Sequence, residues 1–271
     1  MNLFNIKNKV ILITGGGGIL GGEMARYLLK NNATIIILDY KEDIVEVATE
    51  TLKKISQKVD GFVCNVLEEK SLKEVSKKII EKYKKIDVLI NAAGGNMSGA
   101  TIGINQTIFD VNIDHFKKVV DLNLFGSILP ALVFGEEMAK NKRGIIINIS
   151  SMTAQSAVTR VVGYSASKAA IDNFTKWLAV ELAMKFGENL RVNAIAPGFF
   201  IGNQNRDLLI NKDDKSYTQR GDKIIQNTPM KRFGEAEELN GTIHYLCSEA
   251  SKFVTGVVIP IDGGFSAFSG V

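Results

Sequence analysis

The 271-residue sequence has little of what interrupts, cross-links or ligates. Only four prolines occur, and no Pro-rich or Gly/Ser-rich linker marks an internal boundary. The expectation is therefore one domain over residues 1–271. Two cysteines, Cys64 and Cys247, are too few for a disulfide framework and read as small buried hydrophobes. His115 and His244 lie far apart, with no Cys or carboxylate neighbour at metal-ligand spacing, so no metal site is expected. No uninterrupted apolar run approaches the roughly 18 residues of a membrane span, and MNLFNIKNKV carries no long apolar segment. The expectation is a cytoplasmic protein with no membrane partner. The net charge of +4 comes from lysines scattered along helical patterns such as EEKSLKEVSKKIIEKYKK. With no basic block, a nucleic-acid surface is not expected.

What the sequence does have is alternation. Short apolar, β-branched runs recur: VILIT from Val10, TIIIL from Thr34, GFVC from Gly61, VLI from Val88, GIIINI from Gly144, RVNAIA from Arg191 and VVIPI from Val257. Continuous apolar runs suit strands covered on both faces, as in a parallel sheet. Helical patterns lie between them, including EMARYLLKN, IVEVATETLKKIS, SLKEVSKKIIEKY and a long stretch from Ser165 to Phe186. The order predicts an α/β fold of Rossmann type, a doubly wound parallel sheet of about seven strands with helices on both faces. Right-handed crossovers place ligands at the carboxyl ends of the strands. Two long segments, about 95–113 and 199–228, read as substrate loops.

Residues 14–22 read TGGGGILGG, between the first strand and the first helix. Gly16, Gly18 and Gly21 fit G-x-G-x-x-G, and a helix N-terminus offers free N–H groups and a positive dipole end to a pyrophosphate. Asp39 closes the second strand 23 residues after Gly16, near the offset for a carboxylate that holds a ribose diol. The same carboxylate repels a 2′-phosphate, so the cofactor expected is NAD. Asn65 and Val66 after the third strand suit the adenine side. Asn91, Ala92 and Gly94 in NAAG let the backbone pass close to a cofactor.

YSASK places Tyr164 and Lys168 four residues apart, on one face of a helix. A phenol titrates near pH 10, and a neighbouring ammonium is expected to lower that value toward the range useful for proton transfer. Ser151, at the strand end NISS and thirteen residues before Tyr164, can donate a hydrogen bond to a substrate oxygen.

TGGGGILGG, Asp39, NAAG, Asn123, NISS, YSASK and APG at Ala196–Gly198 resemble, in order and spacing over essentially the whole chain, the short-chain dehydrogenases/reductases. The resemblance implies Tyr164 as general acid/base, Lys168 as the residue that lowers its pKa, Ser151 as the group that positions the carbonyl, and Asn123 as the holder of a water in a proton relay. It also implies that Lys168 reaches the nicotinamide ribose and that Pro197, Gly198 and the backbone of Phe200 face the nicotinamide. It further implies a homotetramer, built partly through the helix that carries YSASK.

The family's glycine pattern TGxxxGxG matches Gly15 and Gly21, but the middle position is Ile19. Close approach is then expected at Gly17 and Gly18, with the N–H groups from Gly17 to Leu20 nearest the phosphates. Two further positions depart: an acid common after the third strand is Asn65, and a Thr common after the PG motif is Gly202. The segments PGFFIGNQNRDLL, TPMKRFGEAEEL and FVTGVVIPIDGGFSAFSGV resemble the NAD-linked sugar-acid members called D-mannonate oxidoreductase or fructuronate reductase. The alternatives in the same family are a gluconate 5-dehydrogenase-like enzyme, a polyol dehydrogenase and a 3-oxoacyl reductase. A sugar acid needs a cation for its carboxylate and polar groups for its hydroxyls. Arg160, Arg206, Asn96, Gln204 and Asn205 are the candidates, with Ser151 at the reacting oxygen.

Overall fold

The computed structural model describes residues 2–202 and 206–270. Seven parallel strands form one sheet: β1 (Val10–Thr14), β2 (Thr34–Asp39), β3 (Val59–Val63), β4 (Val88–Asn91), β5 (Gly144–Ile149), β6 (Leu190–Pro197) and β7 (Val258–Ile261). Their order is β3-β2-β1-β4-β5-β6-β7. The chain steps outward from β1 in one direction and from β4 in the other. The crevice between these two strand ends is the switch point of a doubly wound sheet.

Successive strand residues face opposite sides, and both sides are buried. Ile11, Ile13, Ile35 and Ile37 pack against Met24, Ala25 and Leu28 of α1 (Ile19–Lys30) and against Ile243 and Leu246 of α9 (Asn240–Cys247). Val10, Leu12, Ile36 and Leu38 pack with Leu72, Val75 and Ile79 of α3 (Glu69–Tyr83) on the other side. Phe134 of α5 (Gly126–Lys140) and Leu178 of α6 (Val162–Phe186) complete that side. The remaining helix of this half, α2 (Glu42–Lys53), covers β2 and β3. The strand register sets Thr14 beside Leu38 and Asn91, and Asn91 beside Asn148. The residues that follow these partners are thereby brought to one edge.

Three expectations change. The helical run from Ile113 to Lys140 is, by length and composition, long and apolar enough to cross a membrane, although half of its most apolar window is buried within the protein. Asp121 and Asn123 interrupt its apolar residues in sequence, so a search for uninterrupted runs misses it. Within that run, α4 (Ile113–Val120) passes into α5 through a wide π-type turn, Asp121–Phe125.

The segment 199–228 is not a plain loop. It contains α7 (Arg206–Leu209) and α8 (Gln219–Asn227). Thr218 caps α8 by accepting the Gly221 N–H. The polar stretch QRGDKIIQN folds because Ile224 buries against Leu209 and Phe233. The segment 94–112 is likewise broken by two short turns of 3-10 helix, Ser98–Ala100 and Ile108–Asp110.

Candidate active site

The glycine loop leaves β1 through Gly15, whose φ of +62° is left-handed. A side chain there would also collide with the Ala93 backbone, at 2.8 Å from its Cα. The Thr14 hydroxyl accepts the N–H groups of Ala92 and Ala93, both at 3.1 Å, which fixes NAAG beside the glycine loop.

The amides of this loop are distributed differently from the sequence expectation. The Gly17 N–H donates to Asp39 Oδ2 at 3.3 Å, and the Gly18 N–H donates to the Gly15 carbonyl at 3.0 Å. Gly18 is the residue that caps α1. The N–H groups of Ile19 and Leu20, in the first helical turn, hold no hydrogen bond among the described residues. The N–H groups left open at this helix start are therefore those of Ile19 and Leu20, whereas those of Gly17 and Gly18 bond within the turn. A side chain at position 19 leaves this amide open, because the Ile19 side chain is itself exposed.

Asp39 is buried at the end of β2, and its other oxygen accepts the Tyr40 N–H at 2.9 Å. The carboxylate thus stands beside the glycine turn, fit to receive a ribose diol. After β3, Asn65 turns its side chain onto its own turn: Nδ2 donates to Glu68 Oε1 at 2.7 Å and Oδ1 accepts the Leu67 N–H at 3.1 Å. Its amide shapes the turn, while Val66 is buried beside Gly126. Asn91 also faces inward, donating to Asn148 Oδ1 and to the Ser127 carbonyl. What this strand end offers a ligand is the backbone of Ala92 to Gly94. A side chain at Gly94 would strike Asn123 Oδ1 at 2.8 Å and lie 3.5 Å from Lys168 Nζ.

Asn123 sits in the π-type turn, fully buried. Such wide turns recur where a helix must aim a functional group. The Asn123 amide donates to the carbonyls of Gly95 and Val119 and accepts the Gly95 N–H. Its side chain therefore ties the loop after β4 to the α4–α5 junction, with both donors in use.

Ser151 follows β5 and is buried; its hydroxyl accepts the Thr153 N–H and is hydrogen-bonded with Tyr164. Lys168 lies one helical turn beyond Tyr164, its Nζ 5.4 Å from the centre of the phenol ring. The ammonium donates to the Ile149 carbonyl at 2.7 Å. One turn further, Asp172 is buried and accepts a hydrogen bond from Ser150. Adjacent serines at the end of β5 thus hold both ends of the stripe Tyr164–Lys168–Asp172.

The charges of this stripe differ from the expectation in one respect. Burial pushes the Tyr164 phenol above its usual value, opposed by the Ser151 hydrogen bond. The expected lowering by Lys168 does not prevail, because the ammonium is directed to the Ile149 carbonyl rather than to the phenol oxygen. Burial also pushes Lys168 down to about 8, opposed by the carboxylate of Asp172. Burial raises Asp172 in turn, against its Ser150 hydrogen bond and the cations of Lys176 and Lys168. The arrangement presents a protonated phenol with a second hydroxyl beside it, which suits donation of a proton to a carbonyl oxygen.

A family model for short-chain alcohol dehydrogenases, described as enoyl-(acyl carrier protein) reductase, matches residues 18–266. The chain belongs to the short-chain dehydrogenase/reductase family. Two relatives in this family are an uncharacterized oxidoreductase of Haemophilus influenzae and the uncharacterized oxidoreductase UxuB of Bacillus subtilis. The first is 44% identical over 98% of this chain and 96% of the relative. The second is 42% identical over 98% of each. Among solved structures, a candidate D-mannonate oxidoreductase from Haemophilus influenzae with bound NAD is 43% identical, with a TM-score of 0.91 over 98% of both chains. Like other members of the short-chain dehydrogenase/reductase family, this chain is an oxidoreductase.

The remaining site candidates divide. Pro197 ends β6, and Gly198 donates to the Ile261 carbonyl at 2.9 Å, so the PG turn is braced by β7. Phe200 is bridged to Gly234. Asn96 donates to Thr101 Oγ1 at 2.8 Å, and its own buried Oδ1 has no partner among the described residues. Arg160 stands in the turn before α6 with a left-handed φ of +78°. Arg206 is exposed on α7. Gln204 and Asn205 lie outside the described residues. One residue that the sequence pattern was not used to find, Asp172, joins the site from α6. Asp172 continues the spacing of four beyond Lys168, a signal present in YSASKAAID.

Proposed function

We propose that the protein reduces a ketone to a secondary alcohol, and catalyses the reverse, on a sugar acid of the fructuronate/D-mannonate type. The cofactor is NAD. The observation that carries the substrate reading is the end-to-end similarity to the NAD-bound candidate D-mannonate oxidoreductase. The residues fit the cofactor. The Ile19 and Leu20 N–H groups would hold a pyrophosphate, the Asp39 carboxylate would hold a ribose diol, and the Gly94 backbone leaves room that a Cβ would fill.

When bound, NADH supplies a hydride to the carbonyl carbon. The chain's residues do the rest. Ser151 and Tyr164 hydrogen-bond the substrate oxygen, and Tyr164 gives it a proton as charge develops. The Lys168 cation, over the same ring, favours the phenolate that remains. Ketone, hydride and proton sum to the secondary alcohol, and oxidation runs the same steps backward.

We also propose a homotetramer. Trp177, Val180 and Met184, spaced along one side of α6, are 61%, 59% and 78% exposed, and Leu132 of the adjacent α5 is 53% exposed. A contiguous apolar face of this kind suits a second copy of the chain. Light scattering at micromolar concentration is expected to give four times the 29.6 kDa chain mass. A monomeric mass would overturn the proposal.

The test of substrate is NADH oxidation with fructuronate, tagaturonate, 5-ketogluconate and a 3-oxoacyl thioester. Turnover of a hexuronate is the expected result. Turnover of only the thioester, or of none, rejects the sugar-acid reading.

A further inference from the structure

The chain has seven arginines, and their surroundings differ. Arg26, Arg143 and Arg232 each hold a carboxylate. Arg191 is buried in a cage of acceptors, with Nη1 on Ser251 and Val254 and Nη2 on Leu246 and Ser248. Arg206 is exposed on a short helix. Arg160 and Arg220 follow neither pattern. Both are partly buried, and neither has an ion-pair partner among the described residues.

Their contacts hold the side chains and leave donors unused. Arg160 Nε donates to the Ile102 carbonyl at 2.6 Å, and the Ile102 N–H returns a bond to the Arg160 carbonyl at 3.0 Å. Both terminal nitrogens of Arg160 stay free among the described residues. Arg220 reaches Thr159, the residue next to Arg160, with long bonds of 3.4 Å to the hydroxyl and 3.3 Å to the carbonyl. Burial and the charge of Arg160 both pull Arg220 below the usual guanidinium value. Two cations brought this close in a partly buried setting repel, and the left-handed backbone of Arg160 adds local strain. An anion between them relieves the repulsion and meets the planar forks of both side chains.

The location makes the anion a ligand group. Ile102 belongs to the segment after β4, Arg160 to the segment after β5 and Arg220 to the segment after β6. All three segments rise from the carboxyl ends of strands, where this fold binds its ligands. Arg160 also lies in the turn between Ser151 and Tyr164, four residues ahead of the phenol. We propose that Arg160 and Arg220 together form the carboxylate subsite for the substrate, closed from above by α8. This rests on the sugar-acid reading of the same site and names the residues that make it selective for an acid.

The experiment titrates the NADH complex with tartrate and with threitol, the four-carbon polyol that lacks the carboxylates, following thermal shift and competition with the ketone substrate. The wild-type complex is expected to bind tartrate and not threitol. Arg220→Gln and Arg160→Gln are each expected to weaken tartrate by about 30-fold or more, a change typical of removing one partner of a buried charged contact. NADH affinity, read by fluorescence, stays level in both, which shows that the variants are folded. Arg220→Lys is expected to recover part of the loss, because it restores the charge without the fork. Tartrate binding that is equal in wild type and both variants overturns the proposal, as does wild-type protein that fails to prefer tartrate over threitol. If no hexuronate is turned over yet both variants lose tartrate, the subsite stands and the substrate reading falls. If hexuronates are turned over and the variants hold tartrate unchanged, the substrate reading stands and the arginine pair falls.

Discussion

The five central strands β1, β2, β4, β5 and β6 bury nearly every side chain, whereas the segment between β6 and β7 closes over a buried cluster of Leu209, Ile224 and Phe233. Ser151, Tyr164, Lys168 and Asp172 stand on the first region, each held by a strand end or by the long helix α6. Arg220 stands on the second. The contrast puts the chemistry on parts that cannot shift without breaking the core, and half of the proposed carboxylate subsite on a part held by little apolar burial. Segments of that kind open locally at low cost, which suits a cover that must admit and release ligand.

The largest expected effect lies at the centre of the rigid region. Tyr164→Phe removes the proton that the substrate oxygen needs and is expected to lower kcat about 10³-fold, the scale of a lost general acid. NADH binding, followed by fluorescence, should survive, since the glycine loop and Asp39 are untouched.

Next is the core beneath it. Ile147 of β5 is fully buried, and Ile147→Ala should cost roughly 2–5 kcal/mol, measured as a fall in the denaturant midpoint.

A smaller change is expected from Asp172→Asn, which can still accept from Ser150 but removes a negative charge near Lys168. That charge favours the ammonium, so its loss lowers a Lys168 value already near 8. The ammonium is present below its pKa and lost above it, so the alkaline limb of kcat/KM should move to lower pH. An unmoved limb would mean that Asp172 serves packing alone.

The smallest effect on global stability is expected in the cover. Ile224→Ala should shift the unfolding midpoint by less than about 1 kcal/mol, because its segment opens before the sheet does. It should nevertheless raise KM. If it instead unfolded the protein as Ile147→Ala does, the two regions would be one cooperative unit.

Much of this division is visible in the chain itself, because strands and catalytic spacing are local properties. The run GIIINI and the interval from Tyr164 to Lys168 need no tertiary knowledge, and both stand where their patterns place them. Burial is not local, and the misread features depend on it. The phenol of Tyr164 is raised rather than lowered because its hydroxyl is held among protein groups and the Lys168 ammonium has a carbonyl to bond. The amides of Gly17 and Gly18 look free in sequence, yet one is taken by Asp39 across 22 residues. The helix QRGDKIIQN shows no wide apolar stripe, since two isoleucines suffice when Leu209 and Phe233 meet one of them. The asparagines Asn65, Asn91 and Asn123 fall at the expected strand and helix junctions, but their side chains are bonded to neighbouring protein groups.

The wide turn at Asp121–Phe125 carries one residue more than a regular helix would use to cover the same distance. That residue is slack, and it sets the heading of everything downstream. Each helical residue turns the chain by about 100°, so deleting one position there would smooth α4 into α5 and swing Asn123 away from Gly95. A redesign that seeks the most regular helix would therefore detach the loop after β4 from its anchor. In this stretch, irregularity is the inherited specification, and straightening it would be the error.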